Sequence, residues 1–482
     1  MMKPIASKIA LNLILLSAAT KSFAANEFAA NEKVEQLFEQ TCAACHGQSL
    51  KGAMASSLLD NQWTTDGSDS ALQRAITEGL AGTSMPAFGK TLTPEQIRTL
   101  VVYIRESAYR ATQTNDSLSK LDKPLTTKHY TLELSEVTSN NGIIWAMDFL
   151  PDGSLLYTIR HGELWHLSPT GEQTLIKGTP TVWHQRQGGL LDVYPDPDYA
   201  NTGWIYLSFS KPAGINAKGE AIAFTSIVRG KIRGGNWVEQ QTLFEADAHN
   251  RKNQGWHFGS RIVIQGDFLY FTNGDEGHQN DAQLITTQNG KIHRIFKDGT
   301  IPKDNPFYHQ ANAQKTIWTY GNRNAQGLTI EPTTGNIWST EHGPRGGDEL
   351  NLVKKGANYG WPTVTFGMNY DGTPITPNTE LPDMQSPILH WTPSIAVAGI
   401  NFYTGDLFKA WQGDLLVGSL AKMQLHRLRI ENGKVIEDEV LLNGLGRIRD
   451  VVSAPNGEIY VTINDGDTKT SKIYAIRPKI TP

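Results

Sequence analysis

A pattern of strand, glycine-containing turn and second strand returns six times after residue 140, and it constrains the fold more than any other feature of the 482-residue chain. The copies begin at Trp145, Gly189, Arg261, Gly327, Gly399 and Arg449, and in each an apolar residue alternates with a polar or small one on both sides of a Gly, Asn or Asp turn. Period-two alternation around such a turn is the signature of a β-hairpin. A lone hairpin cannot bury both faces, but copies returning at roughly 45–70 residues can do so by stacking radially. The sequence therefore predicts an all-β six-bladed β-propeller over residues 129–482, with a small all-α domain ahead of it. A β-sandwich is the rival arrangement, and six similar units suit a ring better. Tyr130 to Val137 also alternates, which fits it to supply the outer strand of the last blade and close the ring.

The residues before the propeller divide into three parts. Lys3 and Lys8 precede a short apolar run, Ile9 to Ala19, and Ser22-Phe23-Ala24 offers small residues for cleavage, so residues 1–24 read as a signal peptide. The run is shorter than the roughly 20 residues a membrane span needs. The expectation is a mature chain exported to the periplasm with no transmembrane segment. Residues 30–108 hold both cysteines of the chain, as Cys42-Ala-Ala-Cys45-His46. Two thiols three apart reach the two vinyl groups of one porphyrin, and the adjacent imidazole meets its iron, so the motif predicts covalent haem c. A zinc site would need a second Cys pair, and a redox dithiol would not need His46. The helix before the motif carries Val34, Leu37 and Phe38 at helical spacing.

The second axial ligand should be Met or His. Met85, in Ser-Met-Pro-Ala-Phe about forty residues on, lies at an interval that the resemblance to small cytochromes c makes usual; Met54 is the rival. Thr93-Pro94-Glu95-Gln96 predicts a helix start, with Ile97, Leu100, Val101 and Ile104 as its apolar stripe. Residues 109–128 turn polar and read as a linker.

Chemistry should sit on the loops that converge on the propeller axis. Lys plus Arg number 44 against 48 Asp plus Glu, a balance with no footprint for nucleic acid. His and Arg on Gly-rich loops nevertheless form a local cationic pocket fit for a polyanionic cofactor. The motifs there are Gln187-Gly-Gly-Leu-Leu, His257-Phe-Gly-Ser-Arg261, Gly290-Lys-Ile-His-Arg294, Arg323-Asn324-Ala-Gln326-Gly, Glu341-His-Gly343-Pro344-Arg-Gly-Gly-Asp348-Glu349, Asn358-Tyr-Gly-Trp361-Pro and Arg447-Ile-Arg449-Asp450. In these motifs residues 130–478 resemble the soluble pyrroloquinoline quinone (PQQ)-dependent glucose and aldose sugar dehydrogenases.

The resemblance implies roles for particular residues. His257 matches the general base on the sugar hydroxyl, with Asp275 beside it to orient the ring. Arg323 and Asn324 match contacts to cofactor and substrate, Gln187 a further pocket contact, and Arg447 and Arg449 the paired arginines that meet PQQ carboxylates. Lys422 corresponds to a cofactor lysine, although Ala421 intervenes after Ser-Leu, and Trp391 resembles an aromatic wall of the pocket. Calcium would lie on the carbonyls of Gly343 and Pro344, with Asp348 anchoring their loop. Asn322, Ala325 and Trp256 depart from the family's usual residues and bear on sugar preference.

The reading that follows is a periplasmic quinohaemoprotein that oxidises the C1 hydroxyl of an aldose to a lactone. Its cofactors would be PQQ, haem c and Ca2+, and its electrons would leave to a cytochrome, a small copper protein or a terminal oxidase. Two alternatives stand beside it. One is a calcium-dependent propeller lactonase or other hydrolase, which an appended haem and paired arginines disfavour. The other is a non-catalytic sugar-binding propeller with a haem sensor.

Overall fold

The computed structural model describes residues 33–113, 119–252, 255–464 and 470–479. The stretch 1–24 read as a signal peptide lies outside them. The chain forms two compact units, one of residues up to Gln113 with the segments Pro344–Gly346 and Gly367–Pro377, the other of the remainder.

The first unit is helical: α1 (33–41), α2 (Ala43–His46), α3 (Asp69–Glu78) and α4 (Pro94–Thr112). The start of α4 follows from its sequence. Thr93 Oγ1 accepts the Gln96 amide at 3.3 Å, Gln96 Oε1 accepts the Thr93 amide at 2.9 Å, and Pro94 takes the first helical position, where no amide hydrogen is needed. The predicted stripe Ile97, Leu100, Val101 and Ile104 is buried with Val34 and Phe38 of α1 in one core. A buried ion pair adds to the α3–α4 contact: Asp69 meets Arg98 at 2.7 Å and Arg105 at 3.0 Å. Removing Asp69 would strand a buried guanidinium, a loss of about 3–5 kcal/mol.

The stretch read as a linker carries structure at both of its ends. Helix α4 continues through Tyr109 to Thr112. Leu125–Thr126 forms a short strand, β1, paired with Thr131 and Leu132. A polar composition does not report these pairings, because backbone hydrogen bonds make them.

The second unit is a propeller of six antiparallel sheets. Blade one holds β3 (Ile144–Phe149), β4 (Leu155–Ile159), β5 (Glu163–Leu167) and β6 (Gln173–Ile176). Blade two holds β7 (Leu190–Pro195), β8 (Ile205–Ile215), β9 (Ala221–Arg233) and β10 (Asn236–Glu245). Blade three holds β11 (Ile262–Gln265), β12 (Phe268–Asn273), β13 (Lys291–Phe296) and β14 (Ile317–Tyr320). Blade four holds β15 (Ala325–Ile330), β16 (Ile337–Glu341), β17 (Asp348–Leu352) and β18 (Leu389–Trp391). Blade five holds β19 (Val397–Phe402), β20 (Leu415–Ser419), β21 (Gln424–Glu431) and β22 (Lys434–Asn443). Blade six takes β23 (Arg447–Ser453), β24 (Ile459–Asn464) and β25 (Thr470–Pro478) from the end of the chain and β2 (Thr131–Asn141) from the start of the unit.

Each sequence copy is the inner hairpin of one blade. The inner strands β3, β7, β11, β15, β19 and β23 pack on one another in turn, and β23 returns to β3. As predicted, β2 closes the ring, pairing with β25 from Leu132 opposite Pro478 to Asn141 opposite Thr470. Five of the six inner strands shift register against their neighbours within their first few residues, for example between Ile144 and Ala146, Ala325 and Gly327, and Ile448 and Asp450. A bulge bends a strand and re-aims its side chains.

One side chain ties this inner layer together. Arg261 donates to Gln326 O on β15 at 2.9 Å and Arg449 O on β23 at 3.1 Å. It pairs with Asp192 of β7 and Asp450 of β23, each at 3.1 Å, and its guanidinium lies 4.3 Å from the Trp145 ring of β3. Gly399 of β19 completes the circle, since a Cβ there would lie 2.2 Å from Asp450 Oδ1 and 2.9 Å from Arg261 Nη2.

Candidate active site

His257 and Asp275 come from different loops of blade three and meet at 2.6 Å, Nδ1 to Oδ1. The local backbone explains how. His257 adopts a left-handed conformation (φ 50°), and a Cβ on the facing Gly274 would lie 2.0 Å from the His257 carbonyl oxygen, so only glycine permits the approach. The His257 amide donates to Gln187 Oε1 at 2.8 Å, which fastens the base to the loop after blade one. Asp275 is buried. Its Oδ1 also accepts the Gly277 amide at 2.8 Å, and its Oδ2 accepts Trp361 Nε1 at 2.8 Å.

The electrostatics keep this imidazole neutral. Burial, and then the positive charge of Arg323, hold the His257 pKa below its ordinary 6.5, outweighing the pull of Asp275 in the other direction. Burial pushes the Asp275 carboxyl up, but the hydrogen bond and charge of His257, with Arg323 and the Gly277 amide, bring it below the usual carboxylate range. The pair is thus a neutral imidazole giving Nδ1–H to a carboxylate, with Nε2 carrying no hydrogen bond among the described residues. That is the protonation state a general base requires.

Beside it lies an unbalanced set of arginines. Arg323 donates to the carbonyls of His342 at 3.1 Å and Gly343 at 2.8 Å, and its guanidinium lies 5.2 Å from the Trp361 ring. Arg449 is pushed down to about 9 by burial and by the charges of Arg447, Arg160 and Arg261. Arg160 is lowered by burial and by Arg447. The Nε atoms of Arg160, Arg323 and Arg449 are buried with no partner. Buried guanidinium donors that repel one another and lack acceptors call for an anion with several carboxylates, so the residues present fit PQQ.

The other predicted residues fall unevenly around this centre. The Asn324 amide oxygen is spent on the frame, accepting Gly259 N–H at 3.1 Å and Gln326 Nε2 at 3.1 Å. Lys422 sits half-buried on the turn after β20, with its amide on Ile395 O at 3.3 Å. Gly343 and Pro344 follow β16; the Gly343 amide is held by Asp348 Oδ1 at 2.9 Å. The Gly343 carbonyl accepts from Arg323.

Trp391 is a buried side chain. It lies on β18, the outer strand of blade four, is 8% exposed, packs in the core with Trp338, Val397 and Leu428, and directs its indole N–H to Asp438 at 3.3 Å. Its ring is a core side chain that packs against residues of blade five.

Several working residues were missed. Trp361 had been seen only as part of a motif, and its bond to Asp275 links loops 86 residues apart. Arg160 ends a strand before a His-Gly turn, with no local signal to separate it from a surface arginine.

In the first unit Cys42 and Cys45 are both free and half-buried, and burial pushes the Cys42 thiol up. His46 Nδ1 lies 3.1 Å from Ser56 O, which fixes the ring and leaves Nε2 to meet an iron. Met85 is half-buried against the helical core, and its carbonyl accepts Leu80 N–H at 3.2 Å. Met54 is 78% exposed. The donor set therefore fits haem c with Met85 as the better-placed sulfur.

Residues 142–474 match the family described as glucose/sorbosone dehydrogenase, which covers more than half of the chain. The chain belongs to the glucose/sorbosone dehydrogenase family. Family membership makes it an oxidoreductase and sets the hydrolase alternative aside. The aldose sugar dehydrogenase YliI of Escherichia coli K12 is 36% identical over 335 residues, covering 68% of this chain and 89% of that one. The apo crystal structure of the soluble E. coli aldose sugar dehydrogenase superposes with a TM-score of 0.67 at 33% identity, over 72% of this chain and all of the other. The PQQ-bound aldose sugar dehydrogenase of Streptomyces coelicolor shares the fold, with a TM-score of 0.58 at 24% identity over 74% of this chain and all of that one. Residues 29–104 match the family described as cytochrome c oxidase, cbb3-type, subunit III, so the N-terminal region of this dehydrogenase is cytochrome c-like. In that region it is 36% identical over 83 residues to the CcoP subunit of Azospirillum brasilense, covering 16% of this chain and 28% of that protein.

Proposed function

We propose that this dehydrogenase is an exported quinohaemoprotein that oxidises the C1 hydroxyl of aldose sugars to the lactone and relays the electrons to a haem c in its own N-terminal unit. The observation that carries the reading is the neutral His257, oriented by Asp275 and Trp361, beside Arg160, Arg323 and Arg449, whose buried Nε atoms have no acceptor. His257 Nε2 takes the proton of the C1 hydroxyl while Asp275 steadies the imidazolium that forms. Gln187 and the Gly274 approach keep the ring where it can do so. Arg447, Arg449, Arg323, Arg160 and Lys422 would hold PQQ by its carboxylates and carbonyls, with the free amide end of Asn324 nearby. PQQ, when bound, supplies the two-electron acceptor for the hydride leaving C1. The carbonyls of Gly343 and Pro344 would hold Ca2+, which supplies Lewis acidity at the quinone. Cys42 and Cys45 would carry the haem, with His46 and Met85 as axial ligands, and the haem supplies a one-electron store.

Carriage of both centres on one chain makes their encounter intramolecular. Stopped-flow of the full chain loaded with PQQ and Ca2+ tests this. Adding an aldose should reduce the haem at a rate independent of protein concentration. A rate that scales with protein concentration would remove the relay, and sugar that bleaches neither haem nor an added dye would remove the dehydrogenase reading itself.

A further inference from the structure

Behind Asp275, between blades two and three, lies a cluster of oxygens that the reaction does not use. Asn250, Asn273, Glu276 and Asn289 are each at most 1% exposed. Asn250 Oδ1, Asn273 Oδ1, Glu276 Oε1 and Asn289 Oδ1 have no hydrogen-bond partner. They fall into two groups that adjoin in the chain: Asn250 and Asn273 both meet Gln288, and the next residue, Asn289, meets Glu276. Asn250 Nδ2 donates to Gln288 Oε1 at 3.2 Å, Asn273 Nδ2 to Gln288 O at 3.0 Å, and Asn289 Nδ2 points to Glu276 Oε2 at 3.4 Å. Each amide is thereby anchored by its donor end, which leaves its oxygen end as an acceptor facing no donor.

The backbone adds a second, independent observation. Glu276 adopts a left-handed conformation (φ 53°), which a non-glycine residue holds only when its surroundings enforce it. That conformation belongs to the residue whose carboxylate is turned into the protein with one oxygen bare. The nearby ammonium of Lys252 is already paired with Asp281 at 2.5 Å. Burial pushes the Glu276 carboxyl well above its ordinary range, outweighing the Thr225 backbone and the charge of Lys252, which pull it down.

We infer that Asn250, Asn273, Glu276 and Asn289 form a binding site for a hard divalent cation of the Ca2+ class, separate from the Gly343–Pro344 loop. An all-oxygen set of one carboxylate and three amide carbonyls is what Ca2+ takes, with water completing six to eight ligands; Mg2+ demands a stricter octahedron and gives up water reluctantly. The ion would answer four bare acceptors together. It would also pin the chain on both sides of Asp275, because Asn273 precedes it at the end of β12 while Glu276 and Asn289 follow it.

The full-length chain, freed of PQQ and equilibrated with Ca2+, should carry one Ca2+ more per chain than Glu276→Gln when both are assayed by plasma mass spectrometry. Its Ca2+-dependent rise in Tm should shrink in the variant, and Mg2+ at the same concentration should not reproduce that rise. Equal ion counts in the two proteins would show that the cluster holds water and overturn the site. Asn250→Ala changes a neutral residue on the short turn Ala248–Asn250 and serves if Glu276→Gln fails to fold. It should weaken the affinity for one Ca2+ at least tenfold, and unaltered Ca2+ binding in that variant would equally overturn the site.

Discussion

Substituting Asp275 by Asn keeps the number of heavy atoms and nearly the shape, yet it should disable the base. Three donors reach this carboxylate: His257 Nδ1–H and Gly277 N–H at Oδ1, and Trp361 Nε1–H at Oδ2. An amide can accept on one side only. With its carbonyl toward His257, the variant keeps that bond but loses its charge, and the amide NH2 confronts the Trp361 N–H. A charge-assisted bond is worth about 1.5–3 kcal/mol, so the imidazolium formed on proton uptake loses about 10- to 100-fold in stability at 1.36 kcal/mol per pKa unit. With its NH2 toward His257, the variant drives the ring proton to Nε2, and the base is blocked, a loss of about 10²–10⁴-fold. Dye-linked oxidation of an aldose by PQQ-loaded protein should therefore show kcat reduced by about 10- to 10⁴-fold, with His257→Ala at the lower end of that activity. The acid limb of kcat should also move. In the wild type it lies below pH 6.5, because His257 must be neutral and is already held low. Removing the Asp275 charge lowers it further. Affinity for PQQ should change little, since Asp275 bonds to none of the arginines. A variant with kcat within threefold of wild type and an unmoved acid limb would refute the assigned geometry.

Three further outcomes are expected. Met85→Ala should keep its haem through Cys42 and Cys45 but lose the axial sulfur, so the reduction potential should fall; an unchanged sulfur-to-iron band in the near infrared would assign the ligand elsewhere. Arg261→Met should cost about 3–5 kcal/mol in denaturant unfolding, because Asp192 and Asp450 are left buried and unpaired, and a loss under 1 kcal/mol would contradict its place as a tie among the blades. Stability should also fall as pH rises from 6.5 to 8. Burial raises Asp192 to about 7 and Asp148 to about 8 in the folded state, so the stability that their protonated forms carry is complete below the unfolded carboxylate value and is lost as pH climbs toward those values. The buried His293 and His342, both lowered to about 3, act the opposite way and only below 6.5, so a Tm that rises between pH 6.5 and 8 would contradict the carboxylate account.

The parts of this protein that were legible in its sequence are those with a local rule. Each inner hairpin announced itself because alternation and a turn residue are set by neighbours in the chain, and Thr93 to Gln96 gave a helix start for the same reason. His257, Asp275 and the arginines were legible through resemblance, and the structure brings His257 and Asp275 into contact. The outer-strand position of Trp391 was not legible, because its motif carries no record of which strand of a blade is outermost. The work of Arg261 was hidden because a charged residue at a strand start reads as surface until five neighbouring strands close around it. Trp361 and Glu276 depend on loops from distant parts of the chain, whose meeting no periodicity encodes.

The clasp between β2 and β25 has a consequence for how the chain is made. Its partners lie more than 300 residues apart, Leu132 against Pro478 and Asn141 against Thr470, and contacts of such separation form late. A chain emerging from its N-terminus can complete the helical unit while the ring is still open. Blade six must wait for the last strand, with the edge of β2 that β25 will cover open in the meantime. An exposed strand edge of that length invites wrong partners, so the interval between the birth of β2 and the arrival of β25 is when this protein most needs chaperone cover. Loss of the final dozen residues would leave that edge permanently open.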